Sequence, residues 1–137
     1  MTRPLILVVD DQACVAQAAR LLLEYAGMDV LIATSPAEAT AIWENRKSEV
    51  NLLMADFDLN DPVTGEQLVK NFETDRPNLK SLIVSAYALD DHRFPGRTEG
   101  VDFFQKPWNC GAVVSAVQWL LKNQDHVTIA SEALTCE

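Results

Sequence analysis

The sequence predicts a single α/β domain with a five-stranded parallel sheet, doubly wound so that helices cover both faces. Three observations carry this. Five short apolar runs start near Leu5, Asp29, Asn51, Leu79 and Val101, spaced widely enough for a crossover helix between successive runs. The intervening segments mostly change to helical periodicity, and such alternation implies right-handed βαβ units and a parallel sheet. The strongest runs are also continuously apolar rather than alternating, as in strands buried on both faces.

Leu5 to Val9 is the first strand and stops at Asp10-Asp11. From Ala13 to Ala26 a helical pattern places Cys14, Ala18, Leu21, Leu22 and Tyr25 on the expected inner side. Gly27 is the expected C-cap. A second strand, Asp29 to Ala33, leads into Ser35-Pro36-Ala37-Glu38. That tetrad reads as N-cap, N1 proline and N3 acid of a helix running to about Arg46. The third strand is Asn51 to Ala55, followed by a loop from Asp56 to Pro62. Leu68, Val69 and Phe72 give a helix from about Gly65 to Glu73 its apolar side. The fourth strand is Leu79 to Val84, ending at Ser85-Ala86-Tyr87. Leu89 to Phe94 fits one short helix, stopped by Pro95-Gly96. A fifth strand, Val101 to Gln105, ends at Lys106-Pro107. Asn109 caps a last helix to about Lys122, with Val113, Val114, Val117, Leu120 and Leu121 inward.

The 137 residues suit one domain with a proper core. A net charge of -9 and a pI of about 4.6 argue against a chain that grips nucleic acid through its phosphates. Cys14, Cys110 and Cys136 have no metal-like spacing and are expected to be reduced thiols. The apolar run after Met1-Thr2-Arg3-Pro4 is too short for a signal peptide or a membrane span. The expected location is the cytoplasm. No glycine-rich loop follows the first strand, which argues against dinucleotide binding.

In a parallel sheet the C-terminal strand ends share one edge, where the ligand crevice of such folds lies. Here that edge collects Asp10, Asp11, Asp56, Ser85 and Lys106. Asp56 taken alone reads as a nucleophile, a metal ligand or an ordinary strand-ending acid. Clustered carboxylates repel one another unless protonated or bound to a cation. A hard divalent ion such as Mg²⁺, with a lysine and a hydroxyl nearby, is the setting of phosphoryl transfer.

These strand ends resemble the receiver domain of two-component response regulators over residues 4 to about 122. The motifs are Val8-Val9-Asp10-Asp11, Asp56, Gly65, Ser85-Ala86 and Phe103-Phe104-Gln105-Lys106-Pro107, in that order. The resemblance implies a flavodoxin-like fold for residues 1–123, with 124–137 a loosely ordered tail. It implies that Asp56 accepts a phosphoryl group from a sensor histidine kinase or phosphotransfer protein. Asp11 would bind Mg²⁺ directly, Asp10 through water, and Asp58 through its backbone carbonyl, beside Asp56 itself. Ser85 and Lys106 would hold phosphoryl oxygens, Pro107 would orient Lys106, and Phe103 would be the switch aromatic. Such a chain is a signalling module rather than an enzyme. It is expected to be a monomer or weak dimer, to contact neither nucleic acid nor membrane directly, and to act on a downstream protein that the sequence does not name.

Two departures stand out. Asn60 lies where relatives usually carry proline, and glycine comes one residue late at Gly65, so the loop after Asp56 looks longer. Asp58 and Tyr87 sit where relatives tune how long the phosphate survives. Pro95-Gly96 interrupts the stretch where the family's fourth helix runs, so that helix is expected to be short or irregular and dimerisation through it is not assumed. Two other functions compete. Met54-Ala55-Asp56-Phe57-Asp58 also resembles the DxD nucleophile motif of haloacid-dehalogenase-type phosphatases, although that motif normally ends the first strand. A pseudo-receiver that binds partners without phosphorylation is the other, and the intact Asp56, Asp11 and Lys106 argue against it.

Overall fold

The computed structural model describes residues 3–85, 101–105 and 110–122. Nine elements follow in order: β1 Leu5–Val9, α1 Ala13–Tyr25, β2 Asp29–Ala33, α2 Pro36–Arg46, β3 Leu52–Asp56, α3 Gly65–Asp75, β4 Lys80–Ser85, β5 Val101–Gln105 and α4 Cys110–Lys122. The expected short helix at Leu89–Phe94, the Asn109 cap and the tail at 124–137 lie outside the described residues. Among the described residues no helix is long and apolar enough to cross a membrane.

All strands pair in parallel, in the order β2-β1-β3-β4-β5. This is one of the doubly wound orders, as expected. Every residue of β1 and β3 is buried. Their side chains alternate between two cores because successive residues of a strand point to opposite faces. Leu5, Leu7, Val9, Leu53 and Ala55 join Trp43 of α2 and Leu68, Val69 and Phe72 of α3. Ile6, Val8, Leu52 and Met54 join Ala16, Ala19 and Leu23 of α1 and Val113, Ala116, Val117 and Leu120 of α4.

Local chemistry fixes the element ends. Ser35 Oγ accepts the Glu38 N–H, with Pro36 inside the first turn of α2. Thr64 and Gln67 form a reciprocal capping box on α3. At the end of α1 the Gly27 N–H donates to Glu24 O and the Met28 N–H to Leu23 O, with Gly27 at φ 99°. That is a Schellman motif, and Met28 and Leu23 share one core beneath it.

The expected inner side of α1 is corrected. Ala16, Ala19 and Leu23 are buried, whereas Cys14 and Ala18 are exposed, Leu21 is 65% exposed and Tyr25 95%. Alanines let the helix lie close against the sheet and α4. The bulkier stripe is rotated out to solvent.

Ser81 of β4 is fully buried, and among the described residues its Oγ has no hydrogen-bond partner. A buried hydroxyl left so costs about 1–3 kcal/mol. Ser81→Ala is therefore expected to stabilise the fold by about 1 kcal/mol in urea denaturation. A clear loss of stability would contradict it.

Candidate functional site

Register brings the acids together. Val9 of β1 lies beside Ala55 of β3, so Asp10 and Asp56, the next residue of each chain, come out level. The Asp10 N–H donates to Ala33 O of β2, which extends the ladder one residue past β1. Asp56 is the last residue of β3 rather than the first of the loop, and it pairs with Val84 of β4. One carboxylate oxygen each from Asp10, Asp11 and Asp56 lies within 4.8 Å of the others.

Burial separates this cluster from ordinary surface acids. Asp10 is 4% and Asp56 8% exposed, with Asp11 half-buried at the rim. Water screens such charges poorly, and two unit charges 4 Å apart interact by about 4 kcal/mol at an effective dielectric near 20. Asp10 Oδ1 accepts the Gln12 N–H at 2.9 Å, which holds that carboxylate at the entry to α1. The donor set is oxygen only, as Mg²⁺ prefers, and lacks the nitrogen or sulfur donors that favour zinc. The residues present therefore fit a hard divalent cation.

The loop after Asp56 is held at several points. The Phe57 N–H donates to Val84 O at 2.7 Å, and Phe57 O accepts the Gly65 N–H at 2.8 Å. Asp56 Oδ1 accepts the Asp58 N–H at 3.4 Å, a long and weak bond. Leu59 is buried in the core shared with α2 and α3. Asp58 Oδ1 accepts the Asn60 N–H at 3.0 Å, and Asn60 adopts φ 54°. Sequence reasoning missed Leu59 as an anchor; a lone leucine between Asp58 and Asn60 was the available signal. It also missed why residue 65 is glycine. A Cβ there would meet Asp56 O at 2.2 Å.

Of the other expected site residues, Ser85 is the last residue of β4 and lies in register with Gln105. Phe103 lies in β5 beside Ile83. Lys106 directly follows β5 but, like Pro107 and Tyr87, falls outside the described residues.

Comparison with known proteins agrees with this arrangement. The model of the response regulator receiver domain family matches residues 6–118. The chain is 28% identical over 129 residues to the probable transcriptional regulatory protein TcrX of Mycobacterium tuberculosis, covering 93% of this chain and 54% of that protein. It is 27% identical over 122 residues to the sensor kinase CckA of Brucella abortus, covering 88% of this chain and 13% of that one. The chain thus spans about half, or far less, of these curated relatives. Among solved structures, a CheY-like receiver domain protein from Methanospirillum hungatei superposes with a TM-score of 0.77 at 28% identity, covering 90% of this chain and 97% of that one. The receiver domain of the hybrid histidine kinase CckA gives 0.72 at 26% identity, covering 85% and 98%.

Proposed function

We propose that this chain, which belongs to the response regulator receiver domain family, accepts a phosphoryl group on Asp56 and passes the event on as a change of shape. Members of this family work with histidine kinases or phosphotransfer proteins, and the proposed donor is a phosphohistidine on such a partner. The observation that carries the reading is Asp56 at a strand tip, buried, with its carboxylate within 4.8 Å of those of Asp10 and Asp11.

An Asp56 carboxylate oxygen attacks phosphorus; the new P–O bond forms as the P–N bond to imidazole breaks, and the leaving imidazole keeps the electron pair. Asp11, Asp56 and the backbone carbonyl of Asp58 would hold Mg²⁺, with Asp10 contributing through water, and the bound ion would supply neutralisation of charge on the phosphoryl oxygens. Ser85 and Lys106 hold two of those oxygens, and Pro107 orients Lys106. Phe103 follows Ser85 when the hydroxyl moves to the phosphate, a bistable element biased by new charge. The proposed unit is residues 1–123, working in the cytoplasm on a downstream protein, with the chain a stand-alone receiver or one part of a larger regulator or kinase.

The exposed side of α1 supports the partner class. Cys14, Ala18, Leu21 and Tyr25 follow one another at helical spacing, starting three residues beyond Asp11. A donor helix laid on this stripe brings its phosphohistidine to the acids. Leu21→Glu is expected to slow transfer from a partner kinase about 10-fold, while phosphorylation by acetyl phosphate is unchanged. Equal slowing with both donors would remove the stripe from the interface.

The central test uses Mg²⁺ with acetyl phosphate. The wild type should gain the mass of one phosphoryl group, Asp56→Asn should gain none, and chelation should abolish the gain. An unmodified wild type, or an Asp56→Asn variant labelled as well as it, defeats the reading.

A further inference from the structure

Asp58 is exposed and lies two residues past Asp56, the nearest carboxylate to it in the sequence. Its side chain has a defined occupation. Asp58 Oδ1 accepts the Asn60 N–H at 3.0 Å, which closes an Asx turn around the Asp58–Leu59 peptide. Two further features accompany that turn. Leu59 is directed into the core shared with α2 and α3, where it is 3% exposed. Asn60 then takes φ 54°, a left-handed conformation that asparagine tolerates better than most residues. The main-chain carbonyl of Asp58 is part of the ring that the hydrogen bond closes. Whatever fixes the turn therefore fixes that carbonyl.

We propose that Asp58 is a positioning residue: its carboxylate, bound to the Asn60 amide, sets the loop that presents the Asp58 carbonyl to the cation, and does not itself act on the phosphoryl group or on water. This rests on the phosphoacceptor reading of Asp56. It gives the side chain a role that depends on its acceptor oxygen rather than on its charge. The two can be separated chemically, because asparagine keeps the acceptor and loses the charge.

The experiment compares the wild type with Asp58→Asn, Asp58→Ala and Asn60→Pro in the whole chain. Proline at 60 removes the N–H and fixes φ near about −65°, so it breaks the turn from the other side. Three quantities are read: hydrogen exchange of the residue 60 amide where one exists, the Mg²⁺ dissociation constant by calorimetry, and the half-life of the Asp56 phosphate. Asp58→Ala should speed the exchange about 10-fold. Asp58→Ala and Asn60→Pro should each weaken Mg²⁺ about 10-fold, as loss of a supporting hydrogen bond does at metal sites. Asp58→Asn should stay within about threefold of the wild type in amide exchange and Mg²⁺ affinity, and should change the half-life less than Asp58→Ala does. The proposal is overturned if Asp58→Asn changes the half-life as much as Asp58→Ala while the amide stays protected, since charge would then be acting directly. It is overturned equally if the amide exchanges alike in the wild type and Asp58→Ala. A wild type that takes no phosphoryl group sinks the phosphoacceptor reading alone, because exchange and Mg²⁺ binding still decide the role of Asp58.

Discussion

Gly65→Ala is expected to destabilise the protein by about 3 kcal/mol and to weaken Mg²⁺ binding at the acid cluster. The cause is a close approach of two backbones. A Cβ on residue 65 would lie 2.2 Å from Asp56 O, 2.9 Å from Asp56 C and 3.2 Å from Phe57 Cα. None of these atoms belongs to a flexible side chain that can step aside. Asp56 is paired with Val84, and the Phe57 N–H is bound to Val84 O. On the other side, Gly65 donates to Phe57 O and lies inside the Thr64–Gln67 capping box that starts α3. Relief therefore requires the start of α3 to withdraw from the tip of β3 by about 1 Å, since the contact must return to ordinary van der Waals separation. That strains the Gly65–Phe57 hydrogen bond and moves the peptide carrying the candidate phosphoacceptor. Overpacking normally costs about 1–3 kcal/mol, and a clash with backbone on both sides belongs at the upper end. Urea denaturation measures the first effect and calorimetric Mg²⁺ titration the second. A variant with wild-type values for both would show that the two segments move apart freely.

The same glycine illustrates what was legible in the sequence. Its place in a receiver-like motif could be read directly, but its reason could not, because the clash is with a residue nine positions earlier that only the folded loop brings close. The sheet was legible because β1 and β3 are buried on both faces, which forces continuous apolar runs. The meeting of Asp10 with Asp56 was legible for a related reason. Parallel strands that stop at acids must stop at the same edge, and the observed register makes the two residues level.

The face of α1 was not legible. Two stripes on that helix are comparably apolar, Cys14-Ala18-Leu21-Tyr25 and Ala16-Ala19-Leu23, and hydrophobic periodicity ranks the bulkier one first. Close packing against the sheet and α4 selects the smaller one. The loop after Asp56 was only half legible. Asn60 could be read from the sequence, but it acquires meaning only through φ 54° and the bond from its amide to Asp58. Proline could supply neither. The loop is held here by an Asx turn and a buried leucine.

Trp43→Ala is expected to cost about 4 kcal/mol of folding stability, in the range for deleting a buried aromatic. Trp43 on α2 is 1% exposed and stacks on Phe72 of α3, with ring centroids 4.3 Å apart and planes 2° from parallel. Its Nε1–H donates to Asp75 Oδ2 at 2.9 Å, and Lys47 Nζ lies 3.7 Å from that same oxygen. Arg76, 6.0 Å from the indole centre, donates to the carbonyls of Lys47 and Val50. One ring therefore joins the C-terminal halves of two helices on the face that also holds Leu59. Trp43→Phe keeps an aromatic against Phe72 but removes the donor to Asp75. Because Asp75 is partly exposed and retains Lys47, that loss should be smaller, about 1–2 kcal/mol. Asp75 ends α3 while Gly65 begins it, so these bonds lie about 15 Å along the helix, at 1.5 Å per residue, from the end that abuts Asp56. Mg²⁺ affinity measured on folded Trp43→Phe should therefore equal that of the wild type. A loss under about 1 kcal/mol in Trp43→Ala would mean that the helices close over the gap, and stability here would then depend less on the stacked pair than on the sheet beneath it.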